Sequence, residues 1–488
     1  MFSQSIKICS TVLFFCLLQT SYSLAQTNLF SLQSLLDDVY STHPFFKSIK
    51  IQKNIAELSI LKEKSFTDTS FSIAPSFSNT KPVSSSPFSS QETTSLGFQS
   101  SLSKTLWSTG GTMGASLALN SSNSTYSSQA QQFGLLNNYY QHSIGISYLH
   151  PLLKNKAGIV NKIGSETKML DYKRTIIQLS DQKQQFILGL INQFLNWYGH
   201  YRELADLRDR YQISRTLYID TKSKYKKNIA EKVDLIQSED SLKNLEQLII
   251  LKQGSVDSKI NQLSLLVSGS IKNKIPKLAL TYIPKLPKLS NDVINNVPHI
   301  ALLFQQQELL EFQLAMLTEQ YRPKLDLNLA TNLKSGDTSL GDSLGFNKPD
   351  YTISVTYTNS IKKTGYHVDD KILQYSLDNL TLSIETAMLN LKSTLVDIST
   401  QYNSLIKVIA ANETRLILAK KRVKQEIKRY NHGRGQFPFV VQAQDQVQAI
   451  ETILLQNKIS IYRLYLQYMT SLGLLDKALS TLNDENII

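Results

Sequence analysis

The passage RYNHGRGQFPFVVQAQD at residues 429–445 has an echo in KYKKNIAEKVDLIQSED at 224–240. The two align without gaps. Tyr225 falls on Tyr430, Asn228 on Gly433, Gln237 on Gln442 and Asp240 on Asp445, each pair 205 positions apart. A second pair, LLDDVYSTHPFF (35–46) and LSNDVINNVPHI (289–300), sets Asp38 on Asp292 and Pro44 on Pro298 at a spacing of 254. Matches in the same order in both halves describe a duplicated unit, and such a chain is restricted to folds that use one motif twice. The 488 residues therefore read as two intertwined halves of one structure instead of three average domains. Because the spacings differ by 49 residues, the first half carries an insertion between Glu57 and Tyr225 that the second lacks between Glu311 and Tyr430.

The insertion falls in a stretch of unusual composition. From Phe66 to about His150, Ser, Thr, Gly and Asn dominate, and the only charges are Asp68, Lys81, Glu92 and Lys104. Apolar residues alternate with small polar ones in FSIAPSF, SLGFQSSL, TMGASLAL and SIGISY, which predicts four strands with one apolar face. The second half has two such runs, KLDLNLA and YTISVTY. The insertion is thus an extra strand pair, turned by STGG at 108–111, and six strands are expected in all. Two settings suit an apolar face of this kind: a soluble sandwich that buries it, and a membrane barrel that turns it to lipid.

Between the strand regions the pattern is helical. Residues 29–64 read as a helix broken near His43-Pro44. No proline occurs from Ile159 to Tyr225, where Leu190, Phe194, Trp197, Tyr201 and Leu204 alternate at four and three, a rhythm that continues to Tyr211, Tyr218 and Tyr225. That spacing is the seam of coiled-coil packing. About 65 residues in a helix extend about 100 Å. The second half repeats the run from about Val368 to Tyr430, and each half then has a return helix ending at LVSGS (266–270) or SLGLL (471–475). The segment IPKLALTYIPKLPKL, with Pro276, Pro284 and Pro287, reads as an extended connector.

The N-terminus, MFSQSIKICSTVLFFCLLQTSYSLAQ, reads as a signal peptide: Lys7, an apolar core from Ile8 to Leu18, and small residues before a cut between Ala25 and Gln26. That core is too short to span a bilayer, which takes roughly 20 residues. Cys9 and Cys16 both lie within it, so an exported chain would have no disulfide and must draw stability from packing or assembly. No later apolar run has the length of a membrane helix, so the expected route into a membrane is a barrel. The net charge of +13 is dispersed along the helices without a recognisable nucleic-acid module, and no nucleic-acid partner is expected.

Signal, short proline-broken helix, strands and long helical hairpin, the last three occurring twice, together resemble the TolC family of outer-membrane efflux proteins over essentially the whole mature chain. YLHPLLKNKAGIVNKI (148–163) looks like the family's strand-to-helix junction, with Pro151, Leu152, Gly158 and Asn161 in place and His150 where a Gln is usual. LTEQYRPKLDLNL (317–329) is similar to its helix-to-strand junction. The resemblance implies a mostly α protein with a membrane β-barrel portion: a duplicated unit of coiled-coil hairpins, with strands contributed to a trimeric barrel in the bacterial outer membrane and a large periplasmic part. The implied organisation is signal 1–25, first repeat 26–275 (strands about 66–150, hairpin about 159–268), connector 276–288 and second repeat 289–488 (strands about 323–358, hairpin about 366–475). The implied role is export of small molecules or proteins with a periplasmic adaptor (membrane fusion) protein and an inner-membrane transporter. The implied partners are a homotrimer and outer-membrane lipid. A surface-anchored trimeric coiled-coil adhesin is the competing reading, although such proteins gather their anchoring strands at the C-terminus.

On this resemblance the opening passages are the periplasmic tips of the hairpins. Asn228, Ile229, Gly433, Arg434 and Gly435 are then candidates for adaptor contact, and Tyr225, Asp234, Asp240, Tyr430, Gln442 and Asp445 for the entrance constriction. Asn228 and Gly433 suit the left-handed end of a helix. The copies differ in one respect: Phe439 stands opposite Asp234, so the second tip lacks that acid. Lysines and arginines crowd both tips, Lys226, Lys227 and Arg434 among them, and fit either the solvated flanks of a coiled coil or a cationic entrance. HGRGQ lacks the full phosphate-loop pattern, and the seven histidines lack ligand spacing. Neither a catalytic site nor a cofactor or metal is expected.

Overall fold

The structure, a computed structural model, describes residues 29–84, 86–280, 282–287 and 291–484. The expected signal peptide, with Ala25 and Gln26, lies outside the described residues. Strand β1 (Leu29–Ser31) is followed by α1 (Leu32–Thr42), α2 (Pro44–Glu63), β2 (Ser70–Thr80), β3 (Glu92–Thr105), β4 (Thr112–Thr125), a short α3 (Ser128–Gln132) and β5 (Asn138–Pro151). The long hairpin α4 (Ile159–Lys226) and α5 (Lys232–Ser264) leads through β6 (Ile275–Lys277) to the second half. There α6 (Asn291–Asn295), α7 (Pro298–Tyr321), β7 (Lys324–Asp337), β8 (Lys348–Thr358), α8 (Thr364–Asn431), α9 (Phe437–Ser471) and α10 (Leu475–Asp484) complete the order. α4 and α8 are both 68 residues long, as a duplication requires. No helix among the described residues is long and apolar enough to cross a membrane.

The chain folds into two compact units that cut across the sequence halves. One unit combines Ile51–Ile177 with Leu302–Glu385 and holds all six long strands; the other, mainly helical, comprises the described residues up to Lys50, within Gln178–Ala301 and from Thr386 onward. In the strand unit, β2-β3-β4-β5-β7-β8 form one antiparallel sheet. The two halves join where β5 pairs with β7, from Tyr140 opposite Asp337 to Pro151 opposite Asp326. Register keeps the alternation in phase across the sheet. Phe71 faces Leu102, Leu102 faces Ala115, Ala115 faces Ile146, and Leu329 faces Ile353. The opposite face carries small hydroxyl pairs, Ser70 with Ser103 at 2.6 Å and Ser72 with Ser101 at 2.7 Å, and an ion pair of Lys334 with Asp350.

The inserted pair β3–β4 belongs to this sheet, and its turn is anchored. Leu106 N–H donates to the Gly111 carbonyl at 2.8 Å and Gly110 N–H to the Leu106 carbonyl at 2.9 Å. Asn155, in a left-handed conformation, donates from Nδ2 to the Gly110 carbonyl at 3.3 Å and accepts Asn161 N–H at 3.1 Å, capping the start of α4. Gly158 has φ +71°, and a Cβ there would lie 2.7 Å from the Trp107 carbonyl. Gly158 and Asn155 thus admit the turn of the inserted hairpin, whereas Asn161 takes part only through its backbone N–H. Trp107 stacks on Phe66 (5.5 Å between centroids), with the Lys64 and Lys162 ammonium groups 5.7 and 5.6 Å from its ring.

In the helical unit the seam reads as expected where side chains are large. Leu190, Phe194, Trp197 and Leu204 are buried, but the aromatic column then opens, and Tyr225 is exposed. A second column of period seven, Leu207, Ser214 and Thr221, is buried instead. Small residues let helices approach closely, and an apolar pattern search passes over them. One expectation needs correction, at the helix start. Residues 29–31, expected as helix, pair in parallel with Ile275–Lys277, because the strand at Pro276 offers them an edge. The connector beyond it is held by three tyrosines: Tyr402 and Tyr462 donate to the carbonyls of Pro284 and Tyr282, and Tyr468 to that of Pro287 at 3.2 Å. Burial pushes the Tyr462 hydroxyl up to about 12 and raises that of Tyr402 as well.

Candidate functional site at the hairpin tips

Both hairpins end in the same hydrogen-bonded turn. After α4, Asn228 N–H donates to the Tyr225 carbonyl at 3.0 Å and Ile229 N–H to the Lys224 carbonyl at 2.9 Å. After α8, Gly433 N–H donates to the Tyr430 carbonyl at 3.1 Å and Arg434 N–H to the Arg429 carbonyl at 2.9 Å. Each pair satisfies two otherwise orphaned carbonyls through a left-handed residue, Asn228 at φ 56° and Gly433 at φ 69°. Gly435 is small for another reason, since a Cβ there would lie 3.0 Å from Arg429 Cβ and Tyr430 N.

Side chains then separate the tips. Tyr430, Phe437 and Val440 form a buried cluster with Leu217, Ile427 and Val441 packed against it. The Tyr430 and Phe437 rings meet edge-on at 5.5 Å. Thr221 Oγ1 and Tyr430 Oη are 3.2 Å apart and buried. The Lys224 ammonium sits 4.4 Å from the Tyr430 ring centroid, donates to Asn431 Oδ1 at 2.9 Å and pairs with Asp220 at 2.8 Å. Burial, with Asp234 and Asp220 nearby, raises the Tyr430 hydroxyl above the usual tyrosine range, although its Thr221 hydrogen bond opposes this. Tyr430 thus joins the two hairpins of one chain. At the matching position Tyr225 is exposed, together with Ile229, Val233 and Ile236.

The remaining candidates are spread along the return helices. Asp234 is half-buried in the first turn of α5, where the positive end of the helix dipole favours a carboxylate. Phe439, opposite it in the repeat, is exposed, and Pro438 stands in the first turn of α9. Asp240 is exposed. Gln442 accepts from Arg422 at 3.4 Å, and Asp445 is ion-paired with Arg210 of α4. Arg210 also lines a groove of about 730 Å³ together with Glu203, Asp206, Lys252 and Glu451. Lys252 pairs with Glu203 and Lys420 with Glu451, and burial raises the Asp206 carboxyl. Arg434, Lys226 and Lys227 are exposed. Among the described residues no group of His, Cys, Asp or Glu is arranged to hold a metal ion. Sequence reasoning missed Thr221 and Phe437 and placed Lys224 only among the positive charges of the tip, because their roles arise where two hairpins meet. The period-seven column ending at Thr221 was the available signal.

A duplicated pair of long hairpins with a strand sheet defines the class: the fold is that of TolC-type outer-membrane channels. CusC, described for the conformational changes accompanying its folding and transmembrane channel formation, matches with a TM-score of 0.69 and 13% identity, over 92% of this chain and 94% of that one. The outer membrane protein VceC of Vibrio cholerae matches at 0.64 and 11% identity, over 91% and 96%. The MtrE outer membrane channel of Neisseria gonorrhoeae matches at 0.62 and 14% identity, over 91% and 89%. No protein-family profile and no curated protein sequence matches.

Proposed function

We propose that this chain is one subunit of a homotrimeric channel-tunnel in a bacterial outer membrane. Its two repeats each add strands to a shared barrel and a hairpin to a periplasmic tunnel. With an adaptor protein and an inner-membrane transporter it exports small molecules or proteins. The observation that carries this reading is the sheet: one face is apolar and exposed over six strands, and the outer edges of β2 and β8 have no partner strand among the described residues. Water disfavours the first and lipid forbids open edges, so a barrel closed with other copies in a membrane answers both. The tip turns at Asn228-Ile229 and Gly433-Arg434-Gly435 are the adaptor-facing surface in this reading, with Asp234, Asp240 and Gln442 toward the entrance and Tyr430 as the link between hairpins.

Membrane fractionation with chemical cross-linking tests the proposal. A trimer in the outer-membrane fraction is expected, and a soluble monomer overturns it. Replacing Lys226, Lys227 and Arg434 by Glu is expected to weaken export and adaptor binding, because a cationic rim steers acidic partners. Unchanged export and binding would remove the cationic-tip part alone.

A further inference from the structure

The insertion supplies β3 and β4, and the structure gives it an unexpected place. It could have folded as an appendage outside the wall. Instead β3 takes the whole length of β2, from Ser70 opposite Ser103 to Thr80 opposite Thr93, and β4 carries the pairing on to β5. The extra pair therefore stands between the strands that flank it in sequence, and its turn is bolted to the β5–α4 junction through Asn155, Gly158 and Trp107. Its outward residues, Leu96, Phe98, Leu102, Met113, Ala115, Leu117 and Leu119, continue the apolar face. On the polar face it adds Ser, Thr, Gly, Ala, Asn and Gln but no ionisable group, whereas β7 and β8 carry Lys334 and Asp350 there.

The outer edges match one another. β2 and β8 are each 11 residues long and fully or nearly fully exposed. With six strands in strict antiparallel order they run in opposite directions, so β2 of one copy meets β8 of the next as an antiparallel pair. With their ends aligned, Phe71, Ile73 and Phe77 fall opposite Tyr357, Val355 and Tyr351, all on the apolar face, and any stagger by an even number of residues preserves the faces. An odd strand count would have set the two edges parallel.

We propose that β2 of one copy pairs with β8 of the next and that the inserted hairpin is part of the pore wall, so that three copies close a barrel of eighteen strands, six from each. This rests on the trimeric channel reading. Barrel diameter grows roughly linearly with strand number, so the pore cross-section is about twofold that of a barrel lacking the insertion, wide enough for an aqueous channel. The polar face of the added wall is uncharged, Glu92 and Lys104 standing on the other face, and this fits bulky hydrophilic cargo of either sign.

Counting strands in the wild-type trimer by electron microscopy tests the wall directly. Eighteen strands are expected; twelve, with β3–β4 outside the ring, overturns the inference and leaves the channel reading intact. Disulfide trapping tests the edges, since the only cysteines, Cys9 and Cys16, lie in the expected signal. Ser72→Cys is combined in separate variants with Thr356→Cys and Ser354→Cys, and with further even shifts, while Ile73→Cys with Thr356→Cys serves as the opposite-face control. A ladder ending in a covalent trimer, absent from the control, is expected. A trimer by mass without any such bridge defeats the edge pairing only, whereas a bridge confined to one chain defeats both readings.

Discussion

At the first tip the helix ends on Asn228 and leaves Tyr225, Ile229, Val233 and Ile236 exposed, whereas at the second it ends on Gly433 and closes Tyr430, Phe437 and Val440 into a core. The hydrogen bonds of the two turns are the same. Duplication has therefore kept a backbone solution, which depends on a left-handed residue and two carbonyls, while the side chains have taken different tasks. One tip joins the hairpins of its own chain. The other leaves its apolar side chains exposed.

The sharpest way to break this comparison is to truncate the paired tyrosines. Tyr430→Ala is expected to lower tip stability by about 3–5 kcal/mol, the range for emptying a buried aromatic site, and Tyr225→Ala by less than about 0.5 kcal/mol. Amide hydrogen exchange in the last turns of α4 and α8 reads both, and equal losses would end the distinction. Next in size is the turn itself. Gly433→Ala is expected to cost about 1–2 kcal/mol because of its positive φ, while Asn228→Gly changes stability by only a few tenths of a kcal/mol. Among the changes at the second tip, the smallest effect is that of one hydroxyl. Tyr430→Phe loses the Thr221 hydrogen bond, about 1 kcal/mol at neutral pH. Because folding raises the Tyr430 hydroxyl, its contribution is complete below the unfolded tyrosine value near 10 and is lost as pH rises through the folded value. Exchange at the second tip should accelerate above about pH 10 in the wild type, and Tyr430→Phe should flatten that slope.

Much of this fold was legible. Period-two alternation located six strands, and the difference of 49 residues between repeat spacings located the inserted pair and its STGG turn. Asn228 and Gly433 were readable as helix ends because their requirement is local. Ser214 and Thr221 were not readable as seam positions, since a hydroxyl counts against burial unless the facing helix is known. Tyr430 was read as an entrance aromatic, a role its identity permits; its burial beside Phe437 and Thr221 depends on three chain segments meeting.

What the sequence by itself determined is whatever follows from spacing along one segment: the duplication, the strand and helix periods, the turn residues and the place of the insertion. These are short-range, and each is enforced by backbone geometry. Only the tertiary structure decided that the inserted strands pair within the sheet, that β5 joins β7 across the halves, and that one tip is core and the other surface. An alternating strand fits a wall or an appendage equally well, and the choice depends on which edge hydrogen bonds and close contacts distant segments can offer it.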